Sequence, residues 1–144
     1  MTNLKGGWMA PKTLLGLALL ALAGGLVAAV SLLAPAPPAA AASTHDVEVL
    51  GQGGRVVFRG PVEAANALEA LEAAARAGGF AVEKTSYPQG TYVVAVDGER
   101  AEGSRGWVYE IRRGEALLFG DVAADSAALE AGDAVVWRWS DRPG

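Results

Sequence analysis

The sequence predicts an α+β domain, one helix packed on a mixed sheet, behind an N-terminal segment of a different kind. Three observations carry this. The chain has no charged side chain from Thr13 to Ala34, and beyond His45 it becomes a series of short alternating runs. A single stretch of that second part, Asn66 to Gly79, has helical rather than strand periodicity. Aromatic residues concentrate in two alternating segments, Gly106-Trp107-Val108-Tyr109-Glu110-Ile111 and Val135-Val136-Trp137-Arg138-Trp139.

The length of 144 residues permits one domain plus an appendage. Lys5 and Lys12 are the only charges before Asp46, so the remainder carries 10 bases against 16 acids, a net −6. Such an acidic domain has no basic stripe for phosphates, which argues against nucleic acid as a partner. The chain has no Cys, which excludes disulfides, thiolate metal sites and cysteine catalysis. A core of ordinary apolar packing must hold the domain, and about 100 residues suffice for that.

The run from Thr13 to Ala34 is long enough to span a bilayer as a helix, with Lys5 and Lys12 holding the N-terminus in the cytoplasm. It also fits a secretory signal peptide cleaved at Ala40-Ala41-Ala42. Both readings, anchor and cleaved signal, place the rest of the chain outside the cytoplasm. Residues 1–42 are thus read as signal or anchor plus an Ala/Pro linker, and residues 43–144 as the domain. His45, the only His, is expected to be solvated where the domain begins.

Val47 to Leu50 and Arg55 to Phe58 flank Gly51-Gln52-Gly53-Gly54 and read as a hairpin. The Gly cluster lacks the Lys-Ser/Thr ending of a phosphate loop and leads into a strand, so it is a turn. Asn66-Ala67-Leu68-Glu69 is a capping box. Leu68, Leu71 and Ala75 form its apolar stripe, Glu72 and Arg76 an i,i+4 pair, and Gly78-Gly79 the left-handed stop. Pro61 to Ala65 is open to an earlier helical turn. Strands follow over Phe80–Thr85 and Thr91–Val96, with Asp97-Gly98 as a turn and Glu99 to Arg105 as a surface loop. After the Gly106–Ile111 strand, Arg113-Gly114 turns the chain into Ala116–Phe119. Ser126–Leu129 suits one helical turn, and Glu130 to Asp133 delivers the last strand, Ala134–Trp139. One helix among these strands points to a β-grasp-like arrangement.

In an extended chain, side chains two apart share a face. Trp107, Tyr109 and Ile111 therefore point one way, and Val135, Trp137 and Trp139 point one way on the second strand. Either the core or a ligand platform lies there.

The run from Val47 to Trp139 resembles the transcobalamin C-terminal-like domain family of bacterial extracytoplasmic domains, related to the β domain of transcobalamin and intrinsic factor. The matching stretches are Asn66 to Glu72, Gly79 to Val82, Tyr92 to Gly98, Gly106 to Ile111 and Ala131 to Trp139. The resemblance implies a β-grasp-like fold and a share in corrinoid binding. In the animal relatives a helical domain supplies the other half of the pocket, and residues 1–144 hold no counterpart of it. Arg112-Arg113-Gly114 stands where the family usually has an Asn-Gly turn.

Two functional readings follow. The first is a non-catalytic capture module for cobalamin, another corrinoid or a similar flat ligand, working with a partner such as a transporter or other envelope protein. Trp107, Tyr109, Trp137, Trp139 and Tyr92 would form its wall, and Arg112 would meet an anionic group. The alternative is a cell-envelope module that binds protein or glycan, or acts as a spacer, with these aromatics as core. No intrinsic cofactor or metal is expected: the spacing of Asp97, Glu99 and Glu102, with Asp121, Asp125 and Asp133 elsewhere, matches no calcium loop. These acids read as turns and solvated charge. With one His in a linker, no Ser, His and Asp constellation is expected, and hence no enzyme.

Overall fold

The computed structural model describes residues 41–142. The predicted signal or anchor and most of the Ala/Pro linker lie outside these residues. No helix among the described residues is long and apolar enough to cross a membrane.

The domain is α+β, mostly sheet with one helix. Strand β1 (Ser43–Leu50) and β2 (Val56–Ala64) enclose a 3-10 turn, Gln52–Gly54, and helix α1 (Ala67–Gly78) follows. Then come β3 (Val82–Tyr87), β4 (Gly90–Val96), the two-residue β5 (Glu99–Arg100), β6 (Gly106–Arg113), β7 (Ala116–Phe119) and β8 (Ala134–Ser140).

There are two sheets, where the sequence suggested one. Five strands lie in the order β2-β1-β8-β6-β7, and three in the order β3-β4-β5. In the larger sheet the first and last strands, β1 and β8, pair in parallel, and the other pairs are antiparallel. The split arises at Asp97-Gly98, both at positive φ (49° and 80°). That tight turn folds β5 back onto β4 and gives β4 its partner before β6 begins. One link between the sheets is a side chain: the Trp107 indole N–H donates to the Glu99 carbonyl at 2.9 Å.

The helix starts as its cap requires. Asn66 Oδ1 accepts from the Glu69 N–H at 2.9 Å, and Glu69 Oε2 reaches back to the N–H of Ala65, also at 2.9 Å. It ends at Gly79, whose φ of 70° is left-handed and whose N–H reaches the Ala75 carbonyl. Leu68 and Leu71 face the sheet with Ala67, Ala70 and Ala74, whereas Ala75 is only half-buried. Glu72 pairs with Lys84 on β3 and not with Arg76. Pro61 to Ala65 forms no early helical turn. Pro61 lies within edge strand β2 opposite Asp46, where a missing N–H is tolerated. The second 3-10 turn is Ala124–Ser126, ahead of the expected Ser126–Leu129.

Two polar expectations are overturned. His45 is 2% exposed. It shares the inward face of β1 with Val47 and Val49, as strand alternation requires. Its Nδ1 donates to the Asp133 carbonyl at 2.9 Å, and Nε2 lies 2.8 Å from Ser43 Oγ. Asp133, expected in a solvated turn, is also 2% exposed. Its carboxylate accepts two bonds from Arg113, at 3.0 and 2.8 Å, and one from the Glu130 N–H at 2.7 Å. Arg113 therefore closes an ion pair onto a buried carboxylate, with a further contact to Glu130.

Candidate functional site

The two aromatic strands are neighbours, and their register is direct. Trp107 faces Trp139, Tyr109 faces Trp137 and Ile111 faces Val135. The Trp107 and Trp139 rings meet edge-on with centroids 5.8 Å apart, and those of Tyr109 and Trp137 are tilted at 5.2 Å. Such pairs add to stability beyond their buried area.

Above this layer lies a cleft of about 720 Å³. Trp107, Tyr109 and Trp137 form its floor, Thr91 to Val93 of β4 one wall, and Phe119 to Ala124 another. Ser140 and Arg142 reach it from the end of β8. The second wall approaches closely: a Cβ on Gly120 would stand 2.8 Å from the Tyr109 ring. The Tyr109 hydroxyl ties the same wall down by donating to the Val122 carbonyl at 2.6 Å.

The floor offers a ligand little. Trp107 and Tyr109 are each 8% exposed and Trp137 2%. Their polar hydrogens are already in use, since the Trp137 N–H donates to the Ala67 carbonyl at 3.0 Å and the other two are bonded as above. Exposed apolar surface sits at the rim, on Tyr92 and Val122, with Tyr87 edge-on to Tyr92 at 5.7 Å. Burial raises the Tyr109 phenol above its ordinary range, and the carboxylates of Asp121 and Asp125 raise it further.

Of the residues picked from the sequence, Trp107, Tyr109, Trp137 and Tyr92 line the cleft. Trp139 packs against Trp107 and is not part of the lining. Arg112 belongs to the opposite face of β6, exposed and 3.7 Å from Glu110. Phe119, Asp121 and Val122 were missed. Only Phe119 carried a signal, as the end of the run Ala116-Leu117-Leu118-Phe119, four consecutive apolar residues that all remain exposed.

The acidic residues have specific partners. Asp97 and Glu99 both bind Arg55, at 3.0 Å each. Asp125 Oδ2 accepts from the Thr91 N–H at 3.0 Å. Among the described residues no group of three or more His, Asp or Glu side chains is placed to hold a metal ion. Ser43, His45 and Asp133 do meet. Asp133 touches the ring through its main-chain carbonyl, and its carboxylate is held by Arg113. None of the three lines the cleft.

No protein-family model and no curated protein matches the chain. Solved structures similar to it include a candidate metal-binding protein from Ruminococcus gnavus, 19% identical, with a TM-score of 0.49 over 68% of this chain and 96% of that one. Haptocorrin in complex with Cbi is 21% identical, with a TM-score of 0.49 over 78% of this chain. This chain spans 28% of the haptocorrin chain.

Proposed function

We propose that the domain is a non-catalytic, extracytoplasmic capture module whose cleft takes a flat, partly apolar ligand. The observation that carries this reading is the convergence of exposed Tyr92 and Val122 on the rim of one cleft. Exposed apolar surface gathered at a concave site is the ordinary signature of ligand binding. The chemistry offered is ring stacking and apolar contact, since the floor has no free donor. The ligand class comes from the resemblance to transcobalamin C-terminal-like domains, and it is a corrinoid. At about 720 Å³ the cleft falls in the range of small-molecule sites. An open cleft leaves part of so large a ligand uncovered, which fits a second protein supplying the other wall.

The test is a titration of the full chain with cobalamin and with cobinamide, following corrin absorbance and Trp fluorescence together. Saturation is expected at micromolar concentration. Tyr92→Ala and Val122→Ala should each weaken binding by about tenfold, and Arg112→Ala should leave it unchanged. Absence of saturation at millimolar ligand would sink the reading.

The second reading is a cell-envelope protein- or glycan-interaction module with no small ligand. The exposed apolar strand β7 favours it.

A further inference from the structure

Strand β7 differs from the other free sheet edges. β2 carries Arg59, Pro61 and Glu63, β3 carries Glu83 and Lys84, and β5 consists of Glu99 and Arg100. Charge and proline on an edge strand prevent it from pairing with another chain. β7 has neither, and its Leu117, Leu118 and Phe119 are 45%, 40% and 59% exposed.

The hydrogen-bonding groups of this edge follow from the register. Glu110 lies opposite Phe119, and the Gly120 N–H donates to the Tyr109 carbonyl at 3.1 Å. Bonded and non-bonded pairs alternate in an antiparallel ladder. Ala116 and Leu118 therefore bond to β6. The N–H and C=O of Leu117 and the N–H of Phe119 point away from the sheet. The Phe119 carbonyl already accepts from the Asp121 N–H at 2.8 Å.

We propose that β7 is a strand-addition site for an extended segment of a partner protein, apolar in alternation and flanked by Lys or Arg. Main-chain bonds to Leu117 and Phe119 would supply affinity, and the side chains on either face would supply selectivity. The basic flanks follow from charge. Exposed Glu115 and Asp121 bracket the strand at its two ends. The nearest cation on β6, Arg112, already leans on Glu110. A second copy of this chain would bring the same two carboxylates and a domain charge of −6 to the edge, whereas a basic-flanked strand neutralises both ends. This site does not depend on what the cleft binds.

The test is fluorescence anisotropy of a labelled peptide, an alternating valine–threonine run with lysine at both ends, titrated with the full chain in mild detergent. Saturable binding is expected. N-methylation of one of the two alternate sets of peptide N–H groups should weaken it by about tenfold or more, and methylation of the other set should not. Leu117→Pro should cause the same loss. Its deleted N–H points outward, so the β6–β7 ladder stays intact. The methylated peptides keep the test valid if that variant unfolds. Glutamate in place of the peptide lysines should weaken binding several-fold. No saturation at millimolar peptide, or equal binding of both methylated forms, overturns the proposal. Self-association of the chain that Leu117→Pro abolishes also overturns it, because the edge then belongs to a second copy.

Discussion

Tyr109 and Trp137 stand opposite each other across β6 and β8, and each donates its one polar hydrogen to the backbone of a different element. The Tyr109 hydroxyl holds the wall of the cleft at Val122, and the Trp137 indole holds the first residue of α1 at Ala67. The pair fastens a loop and the helix to one sheet. Its members therefore differ in what their removal does.

Trp137→Phe leaves the buried Ala67 carbonyl without its donor and opens a void beside α1. The expected loss is about 3 kcal/mol. Tyr109→Phe deletes only a hydroxyl whose acceptor, the carbonyl of exposed Val122, lies near solvent, and about 1 kcal/mol is expected. Urea unfolding followed by circular dichroism separates the two. Equal losses would show that the tyrosine hydroxyl matters as much as the indole.

Alkaline titration should show one late tyrosine. Burial, with Asp121 and Asp125 nearby, raises the Tyr109 phenol. Its unfolded value is about 10, so the protonated form is favoured in the fold. The stability tied to it is fully present below about pH 10 and is lost as pH rises through the higher folded value. Tyrosinate absorbance should contain a phase above the ordinary phenol range that Tyr109→Phe removes. A titration unchanged by that substitution would contradict the burial argument.

Acid should weaken the fold through Asp133. Hydrogen bonds from Arg113 hold its carboxyl below the usual carboxylate range against the opposing effect of burial. A depressed acid stabilises the fold above its unfolded value, near 4, and that contribution is lost as pH falls through the folded value. Asp133→Asn should be less stable than the parent at pH 7, with the gap closing towards pH 2. A gap that stays constant across this window would mean that the charge of Asp133 is not what stabilises the fold.

Gly90 should tolerate no side chain. Its φ is +136°, and an added Cβ would lie 2.2 Å from that of Ala123. Gly90→Ala is expected to cost about 2 kcal/mol or more. It should also break the adjoining bond from the Thr91 N–H to Asp125. Hydrogen exchange at the Thr91 amide is the readout, and it should accelerate by more than global destabilisation explains. Parallel slowing or no change would show that the hairpin docks by other contacts.

Local signals in the chain were read correctly wherever a short stretch carries its own geometry. Asn66 and Glu69 cap a helix because their side chains reach backbone groups within a few residues. Asp97-Gly98 turns because of its own positive φ values. The alternation of Trp107 and Tyr109 set a common face, and that face is where the cleft lies. Arg112, one residue from Ile111, had to fall on the other side by the same rule.

What the sequence by itself determined was the α+β class, the capped helix, most strand positions and the common face of the aromatic strands, each dictated by neighbours along the chain. Only the tertiary structure decided that there are two sheets, that the parallel pairing of β1 with β8 joins the ends of the domain, and that Asp133 and His45 are buried. It also decided that the usable apolar surface is the rim of Tyr92 and Val122 and not the indoles beneath it. The reason is physical: alternation states which side chains share a face, but exposure depends on what another element lays over that face. That covering comes from residues far along the chain, as in the 88-residue separation between His45 and Asp133.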